Sequence, residues 1–262
     1  MSDGKAGQTA QEIWRMVGEG SCVAHLPAAI RPITRAEGYA AQRALEAYTT
    51  QALFGWKIAA TSVAGQQHIH VDGPLAGRLL AERCFSSGAT VSLKGNRMLV
   101  AEGEFAFRMA CDLSPRAAAY TPAEVLAAVA TLHPAIEIPN SRFCPFEEAG
   151  AAQLIADNAC ADYFVLGAAV PEIWRSLDLA AHPVIGIDAR GVRHVGEGRN
   201  VLGGPAIALA WLVNELSGLG ITLAAGQVVT TGTCFKPFAV APGERVAVDF
   251  GALGRIEIRF AA

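Results

Sequence analysis

The chain has 262 residues, of which 52% are hydrophobic and 17% charged, with a formal net charge of −3. This composition excludes a disordered protein, and the slightly acidic balance without a Lys/Arg cluster argues against nucleic-acid binding. Six scattered cysteines without a CxxC pair, a polar start and no uncharged apolar run of membrane length are typical of a cytoplasmic protein. The low charged fraction also favours burial of surface in a homo-oligomer.

The first part of the chain is predicted to be helical. Helices are expected over residues 9–19 and 38–53, and Thr34 with Glu37 forms a capping-box pattern before the second. A short strand over residues 54–62 follows and carries Lys57 between bulky apolar neighbours. Lys57 is either an edge-strand lysine that extends to water or a partly buried cation facing an anionic substrate.

Residues 65–83 contain His68, His70 and Asp72 before the turn Gly73-Pro74. The H-x-H-x-D run is similar to a metal triad, but histidines at i and i+2 are common in loops, so we do not assign a metal here. A strand is predicted over residues 90–93, and residues 94–97 read as a hairpin-like connection to the next strand.

Residues 98–109 are the most informative stretch, because alternate side chains of a strand point to opposite faces. The even-numbered face carries Glu102 and Glu104, with Cα atoms roughly 6.5–7 Å apart. Two like charges in a segment fit for burial are costly, and a divalent cation would remove that cost. The alternative is a solvated strand face. The odd-numbered face is apolar throughout: Leu99, Ala101, Gly103, Phe105, Phe107 and Met109.

Thr121, Pro122 and Glu124 begin a further predicted helix that continues to residue 132. The following strand, residues 133–142, has a single acid, Glu137, between two isoleucines. An isolated acid among β-branched residues needs a partner. That partner is either Arg142 or a cation shared with the two glutamates of the preceding strand.

The second half of the chain is predicted to be rich in strands. Residues 184–187 and 192–195 are predicted to form a hairpin, and the glycine-rich loop 196–205 leads to a predicted helix over residues 206–216. The loop lacks dinucleotide-binding spacing, so a nucleotide site is not expected. Two polar breaks in apolar segments, Asp157-Asn158 and Thr231-Gly232, are predicted to flank the site.

Six segments in this order together resemble one family, the 2-keto-4-pentenoate hydratase and 4-oxalocrotonate decarboxylase branch of the fumarylacetoacetate hydrolase superfamily. The resemblance spans roughly residues 30–260. The segments are Gly55-Trp56-Lys57-Ile58 with Thr61-Ser62, Glu102-Gly103-Glu104-Phe105-Ala106-Phe107, Pro134-Ala135-Ile136-Glu137, Ala156-Asp157-Asn158-Ala159, Val201-Leu202-Gly203 and Thr231-Gly232.

The resemblance implies an α+β fold, a mixed β-sheet roll with an N-terminal helical part, which we place at residues 1–54 with a β-rich catalytic domain at 55–262. It implies a Mg²⁺ or Mn²⁺ site on Glu102, Glu104 and Glu137, with Lys57 near the substrate. The implied activity is metal-dependent hydration of a 2-hydroxydienoate (2-keto-4-pentenoate type) in the catabolism of aromatic or related compounds. Ser62, Asp157, Asn158, Thr231 and Gly232 are the implied substrate-binding residues.

One position departs from the family pattern. The hydratases usually carry a second acid where this chain has Leu75, three residues after Asp72. Asp72 is therefore the candidate for proton transfer, with Lys57 as the other catalytic residue. Two alternatives stay open: a 4-oxalocrotonate-type decarboxylase, and a non-catalytic relative that binds metal and a small keto acid. No counterpart of the His–Glu pair of the C–C bond hydrolases is found.

Overall fold

A computed structural model describes all 262 residues, with six α-helices and thirteen strands. The helices are α1 (Asp3–Glu19), α2 (Arg35–Ala44), α3 (Val63–His68), α4 (Pro122–Ala127), α5 (Ala151–Ala156) and α6 (Pro205–Gly218). The strands are β1 (Gly55–Ala59), β2 (Leu75–Leu79), β3 (Cys84–Ser86), β4 (Thr90–Val91), β5 (Val100–Met109), β6 (Val129–Ile138), β7 (Tyr163–Leu166), β8 (Pro183–Ile187), β9 (Arg193–Glu197), β10 (Val228–Thr230), β11 (Phe238–Ala239), β12 (Arg245–Asp249) and β13 (Arg255–Phe260).

The strands form two sheets, and β5 lies near the middle of the larger one. Its order is β2-β1-β10-β5-β6-β7-β3, with β11 also paired to β5, and the smaller sheet runs β4-β13-β12-β8-β9. The larger sheet is mixed, because β1 pairs with β10 in parallel whereas β5 is antiparallel to both β10 and β6. The α+β fold is therefore confirmed, and so is the hairpin formed by β8 and β9.

The first two helices pack against each other and against α5. The Thr34 side chain caps α2 by accepting from Glu37 N, but the Glu37 carboxylate accepts from Ile33 N instead of completing the box with Thr34. Helix α2 ends at Ala44, followed by a 3₁₀ turn, so it is shorter than predicted. The longer apolar helical stretch Gly198–Gly218 has the length and composition of a membrane span, but half of its apolar window is buried inside the chain, as in a core helix.

The two faces of β5 have different surroundings. The odd-numbered residues Ala101, Phe105 and Phe107 are buried in the main hydrophobic core. The even-numbered face, which carries the glutamates, continues into a separate small apolar cluster. Its buried members are Leu79, Ala106, Ala135, Phe164 and Val228. Because directly opposed residues of paired strands share a face, this cluster forms an apolar floor beside the carboxylates.

Three further features of the fold differ from what the sequence led us to expect. The helix beginning at Pro122 ends at Ala127, and β6 begins at Val129, since pairing with β5 overrides local helical preference. Residues 94–97 are not a hairpin, because β4 pairs with β13 and not with β5. Strand β2 was not predicted: all five of its residues are buried, so it shows no alternation of apolar and polar side chains.

Candidate metal centre

Glu102, Glu104 and Glu137 are brought together by the pairing of β5 with β6. Glu102 lies directly opposite Glu137, and Glu104 is two residues further along the same face of β5. One carboxylate oxygen from each lies within 4.8 Å of the others. Glu104 and Glu137 are 0% and 1% exposed, and Glu102 is partly buried. Three acids thus converge at one point inside the roll.

Half of the six carboxylate oxygens in this cluster are buried without a hydrogen-bond donor. Glu104 Oε2 accepts from the Thr230 hydroxyl and from Gly232 N, the latter at 2.7 Å. Glu104 Oε1 and both carboxylate oxygens of Glu137 are buried without a hydrogen bond. Buried acceptors that face one another without hydrogen-bond donors are unfavourable unless a cation joins them. A set made only of carboxylate oxygens suits Mg²⁺ or Mn²⁺, so the residues fit the implied metal.

The electrostatics of the cluster agree with this interpretation. Burial raises the pKa of Glu102 and of Glu104 to about 7, and repulsion from a neighbouring glutamate adds to the effect in each case. Burial likewise raises the pKa of Glu137 to about 8, although the nearby ammonium of Lys57 opposes the rise. Without a bound metal ion, ionising all three carboxyl groups at neutral pH costs free energy.

Lys57 is the cation beside this cluster. It lies on β1, between β2 and β10, and is 3% exposed, so it is not an edge-strand lysine that reaches water. Its Nζ is 3.0 Å from Glu137 Oε1, an ion pair outside hydrogen-bond geometry, and it donates to the Ala159 carbonyl at 2.9 Å. Burial opposes the charged form, but attraction by Glu137 and Glu102 outweighs it and raises the pKa of Lys57.

Arg142 pairs with Asp157, not with Glu137, which resolves the alternative left open by the sequence. Asp157 also accepts from Ser141 Oγ at 2.8 Å and from Arg142 N at 2.9 Å. Both members of the pair are buried. The Asp157 side chain therefore belongs to a structural ion pair, and this segment reaches the site through the carbonyl of Ala159.

Of the remaining predicted residues, Gly232 is hydrogen-bonded to the carboxylate cluster, and Thr231, Asn158 and Ser62 are bonded elsewhere. Gly232 binds Glu104 directly, whereas the Thr231 hydroxyl donates to the carbonyl of Phe105. Asn158 hydrogen-bonds to the backbone of β2, and Ser62 caps α3 through Gly65 N. None of the side chains of Thr231, Asn158 and Ser62 is hydrogen-bonded to the carboxylate cluster.

The structure does not bring Asp72 to the cluster. Strand β2 begins at Leu75, so Asp72 lies in the turn before the sheet; it is 86% exposed and 3.4 Å from the Arg35 guanidinium. Leu75 is 1% exposed and, opposite Ala59 on β1, shares the sheet face of Lys57. No second metal cluster forms around the histidines, since His68 lies 3.7 Å from Glu147 instead.

Two contacts that hold the side chains of the site in place were not predicted from the sequence. One is the Thr230 hydroxyl on Glu104, and the other is the Ala159 carbonyl on Lys57. Thr230 could have been found by extending the polar break Thr231-Gly232 back into the strand. A backbone carbonyl leaves no signal in residue type, so the Ala159 contact could not have been found.

The Arg142–Asp157 pair supports a prediction about stability. We expect Arg142→Met to lower the free energy of unfolding by about 3–5 kcal/mol, because it leaves a buried carboxylate without its counter-charge. Urea titration measures the change. Arg190→Met is the control: Arg190 is largely exposed and pairs with Asp188 at 3.2 Å, so its loss should cost about 0–1 kcal/mol. Equal costs for both variants would contradict the prediction.

Comparison with known proteins agrees with the motifs and the fold. The family model described as fumarylacetoacetate (FAA) hydrolase C-terminal matches residues 80–261. A 2-hydroxyhexa-2,4-dienoate hydratase of Comamonas testosteroni is 34% identical over 210 residues, 79% of this chain and 78% of the relative. A 2-keto-4-pentenoate hydratase of Paraburkholderia xenovorans strain LB400 is 33% identical over 207 residues, 79% of this chain and 75% of the relative.

Among solved structures, 4-oxalocrotonate decarboxylase from Pseudomonas putida G7, complexed with magnesium and adipate, has a TM-score of 0.90. The match covers 99% of this chain and 98% of that chain at 23% identity, and it establishes a shared fold. The resemblance identified from the six segments is confirmed. The chain therefore belongs to the fumarylacetoacetate hydrolase C-terminal family.

Proposed function

We propose that this protein is a divalent-metal-dependent hydratase that adds water to a 2-hydroxydienoate of the 2-keto-4-pentenoate type, in the catabolism of aromatic or related compounds. The observation that carries the proposal is the cluster of three inward-facing carboxylates beside Lys57, in which three buried oxygens have no hydrogen bond. Identity of 33–34% to proteins named as hydratases of such acids supports the choice of substrate class.

In this proposal Glu102, Glu104 and Glu137 hold Mg²⁺ or Mn²⁺. When bound, the cation supplies a Lewis acid that polarises the 2-keto acid unit of the substrate. Thr230 and Gly232 fix Glu104 by occupying one of its oxygens, so that the other oxygen faces the cluster. The apolar floor of the roll lowers the local dielectric constant and so strengthens each of these electrostatic contacts.

Lys57 supplies positive charge for an anionic substrate. An ammonium has three N–H donors, and in this structure Lys57 uses one of them in a hydrogen bond, to Ala159, so donor capacity remains for the substrate. There it stabilises negative charge that develops on the dienolate oxygen. The side chain of Asp72 takes no part in this scheme, since it is held at the surface by Arg35.

The test is hydration of 2-hydroxypenta-2,4-dienoate, followed as loss of the ultraviolet absorbance of the diene. The protein is first stripped with EDTA and then assayed with and without Mg²⁺ or Mn²⁺. We expect turnover that requires the added cation. Absence of metal-dependent turnover, with the stripped protein still folded by circular dichroism, would refute the proposed function.

A second candidate function is decarboxylation of a 4-oxalocrotonate-type acid. One observation favours it: the position at which hydratases usually carry an acid is Leu75, which is buried on the Lys57 face of the sheet. Loss of CO₂ leaves a carbanion that the same site would stabilise, and it needs no acid at position 75. CO₂ release from 4-oxalocrotonate, compared with hydration of the dienoate, decides between the two.

The variant Leu75→Asp tests the importance of this position. We expect it to lower the free energy of unfolding by about 2–5 kcal/mol without raising the hydration rate, because Leu75 is packed in apolar surroundings. Leu79→Asp, at another buried position on the same strand, is the matched control. A tenfold or greater gain in hydration for Leu75→Asp alone would contradict the expectation and favour the decarboxylase as the native activity.

A further inference from the structure

The backbone next to Lys57 has an unusual conformation. Three consecutive residues, Asn158–Cys160, have left-handed φ angles of 55°, 50° and 61°, and none of them is glycine. Residues with a Cβ rarely adopt this conformation even singly. Such a run persists only where the surrounding structure enforces it, and conformations of this kind cluster at functional sites.

The Asn158 side chain is one of the groups that enforce this turn. Its Oδ1 accepts from Arg78 N at 2.6 Å and its Nδ2 donates to Arg78 O at 2.8 Å, so the amide pairs with both backbone groups of one residue of β2. At the other end of the turn, Asn140 N donates to Cys160 O at 2.9 Å. The turn is thus attached to β2 on one side and to the segment after β6 on the other.

The turn places the Ala159 carbonyl against the Lys57 ammonium and the Asn158 carbonyl beside Gly77. The Ala159 carbonyl accepts from Lys57 Nζ at 2.9 Å. The methylene chain of Lys57 lies over Gly77, where a Cβ would stand 2.9 Å from Lys57 Cδ and 2.5 Å from the Asn158 carbonyl oxygen. A side chain at position 77 would therefore displace the lysine, the turn or both.

We propose that the left-handed turn Asn158–Cys160, together with Gly77, is a positioning device that holds the Lys57 ammonium against Glu137. A lysine side chain is flexible, and its ammonium would otherwise move toward water. The turn supplies a fixed acceptor beside the cluster, and Gly77 leaves room for the side chain to reach it. Asn158 is in this sense a positioning residue that acts through Lys57. Its effect on catalysis rests on the proposed function, but its effect on the lysine does not.

The test compares two asparagines that make the same bonds. Asn214 Oδ1 accepts from Tyr120 N at 2.7 Å and its Nδ2 donates to Tyr120 O at 3.0 Å, on α6 and away from Lys57. Asn158→Ala and Asn214→Ala therefore remove equivalent bridges. We expect both to lower thermal stability, but only Asn158→Ala to displace Lys57 Nζ from Ala159 and Glu137 in the crystal structure and to lower turnover, by about 10- to 100-fold.

A double mutant separates positioning from general damage. In a Lys57→Met background, Asn158→Ala should have no further effect on turnover while it still lowers stability. Should Asn158→Ala prove insoluble, Gly77→Ala and the milder Asn158→Asp, which keeps the acceptor for Arg78 N, test the same contacts.

Lys57 unmoved in the Asn158→Ala crystal structure, or equal losses of turnover in the two asparagine variants, would overturn the inference. Absence of dienoate hydration by the wild type would instead refute the proposed function, and the crystallographic comparison would still decide the role of the turn.

Discussion

Glu104→Gln is expected to abolish stabilisation of the protein by Mg²⁺ and to lower turnover by about 10²–10³-fold. This loss of turnover corresponds to several kcal/mol of transition-state stabilisation. The physical reason lies in the two donors that fix this side chain. Because Thr230 and Gly232 both donate to Oε2, the amide oxygen of a glutamine takes that position. Its NH₂ group then replaces Oε1 and presents a donor to the cluster where a cation needs an oxygen.

The measurement is the melting temperature with and without Mg²⁺, together with calorimetric titration of the cation. In the absence of metal we expect Glu104→Gln to be at least as stable as the wild type, since it removes one of three repelling acids from a buried cluster. Glu257→Gln, on β13 and paired with Arg245 at the surface, is the control and should retain full Mg²⁺ stabilisation. An undiminished Mg²⁺ response in Glu104→Gln would show that the cation does not bind at this cluster.

The sequence predicted the carboxylate cluster well because each glutamate was conspicuous in its own strand. Glu102 and Glu104 share one face of an otherwise apolar strand, and Glu137 lies between two isoleucines. Period-two alternation fixes which side chains point the same way, so the face could be read without the fold. That the two strands are neighbours, and that Glu102 lies opposite Glu137, depends on sheet pairing that the motif order only implied.

The surroundings of other residues could not be read from the sequence, because tertiary contacts decide them. Arg142 was a plausible partner for Glu137 because the two are close in sequence. Its guanidinium pairs instead with Asp157, which lies 15 residues after Arg142. Asp72 was chosen because it is the nearest acid to Leu75, yet the strand begins after it and leaves it in a surface turn. Strand β2 could not be recognised because it is buried on both faces, and burial on both faces removes the alternation that identifies a strand.

Lys57→Met is expected to lower turnover by about 10²–10⁴-fold, as for loss of a group that transfers a proton or neutralises developing charge at the reacting centre. Methionine has a similar length and no charge, so it fills the space over Gly77 but provides neither the ion pair with Glu137 nor a donor for the substrate. Lys94→Met, at an exposed turn, is the control and should leave turnover unchanged.

The same variant should change metal affinity in the direction opposite to Glu104→Gln. Lys57 places a positive charge 3.0 Å from Glu137, and its removal leaves the carboxylates with one more uncompensated negative charge. A divalent cation should therefore bind Lys57→Met more tightly than the wild type, whereas it should bind Glu104→Gln more weakly. Calorimetric titration of both variants with Mg²⁺ measures the two shifts. Weaker binding in both would mean that Lys57 supports the site by packing alone, because only a charge effect separates the two variants in sign.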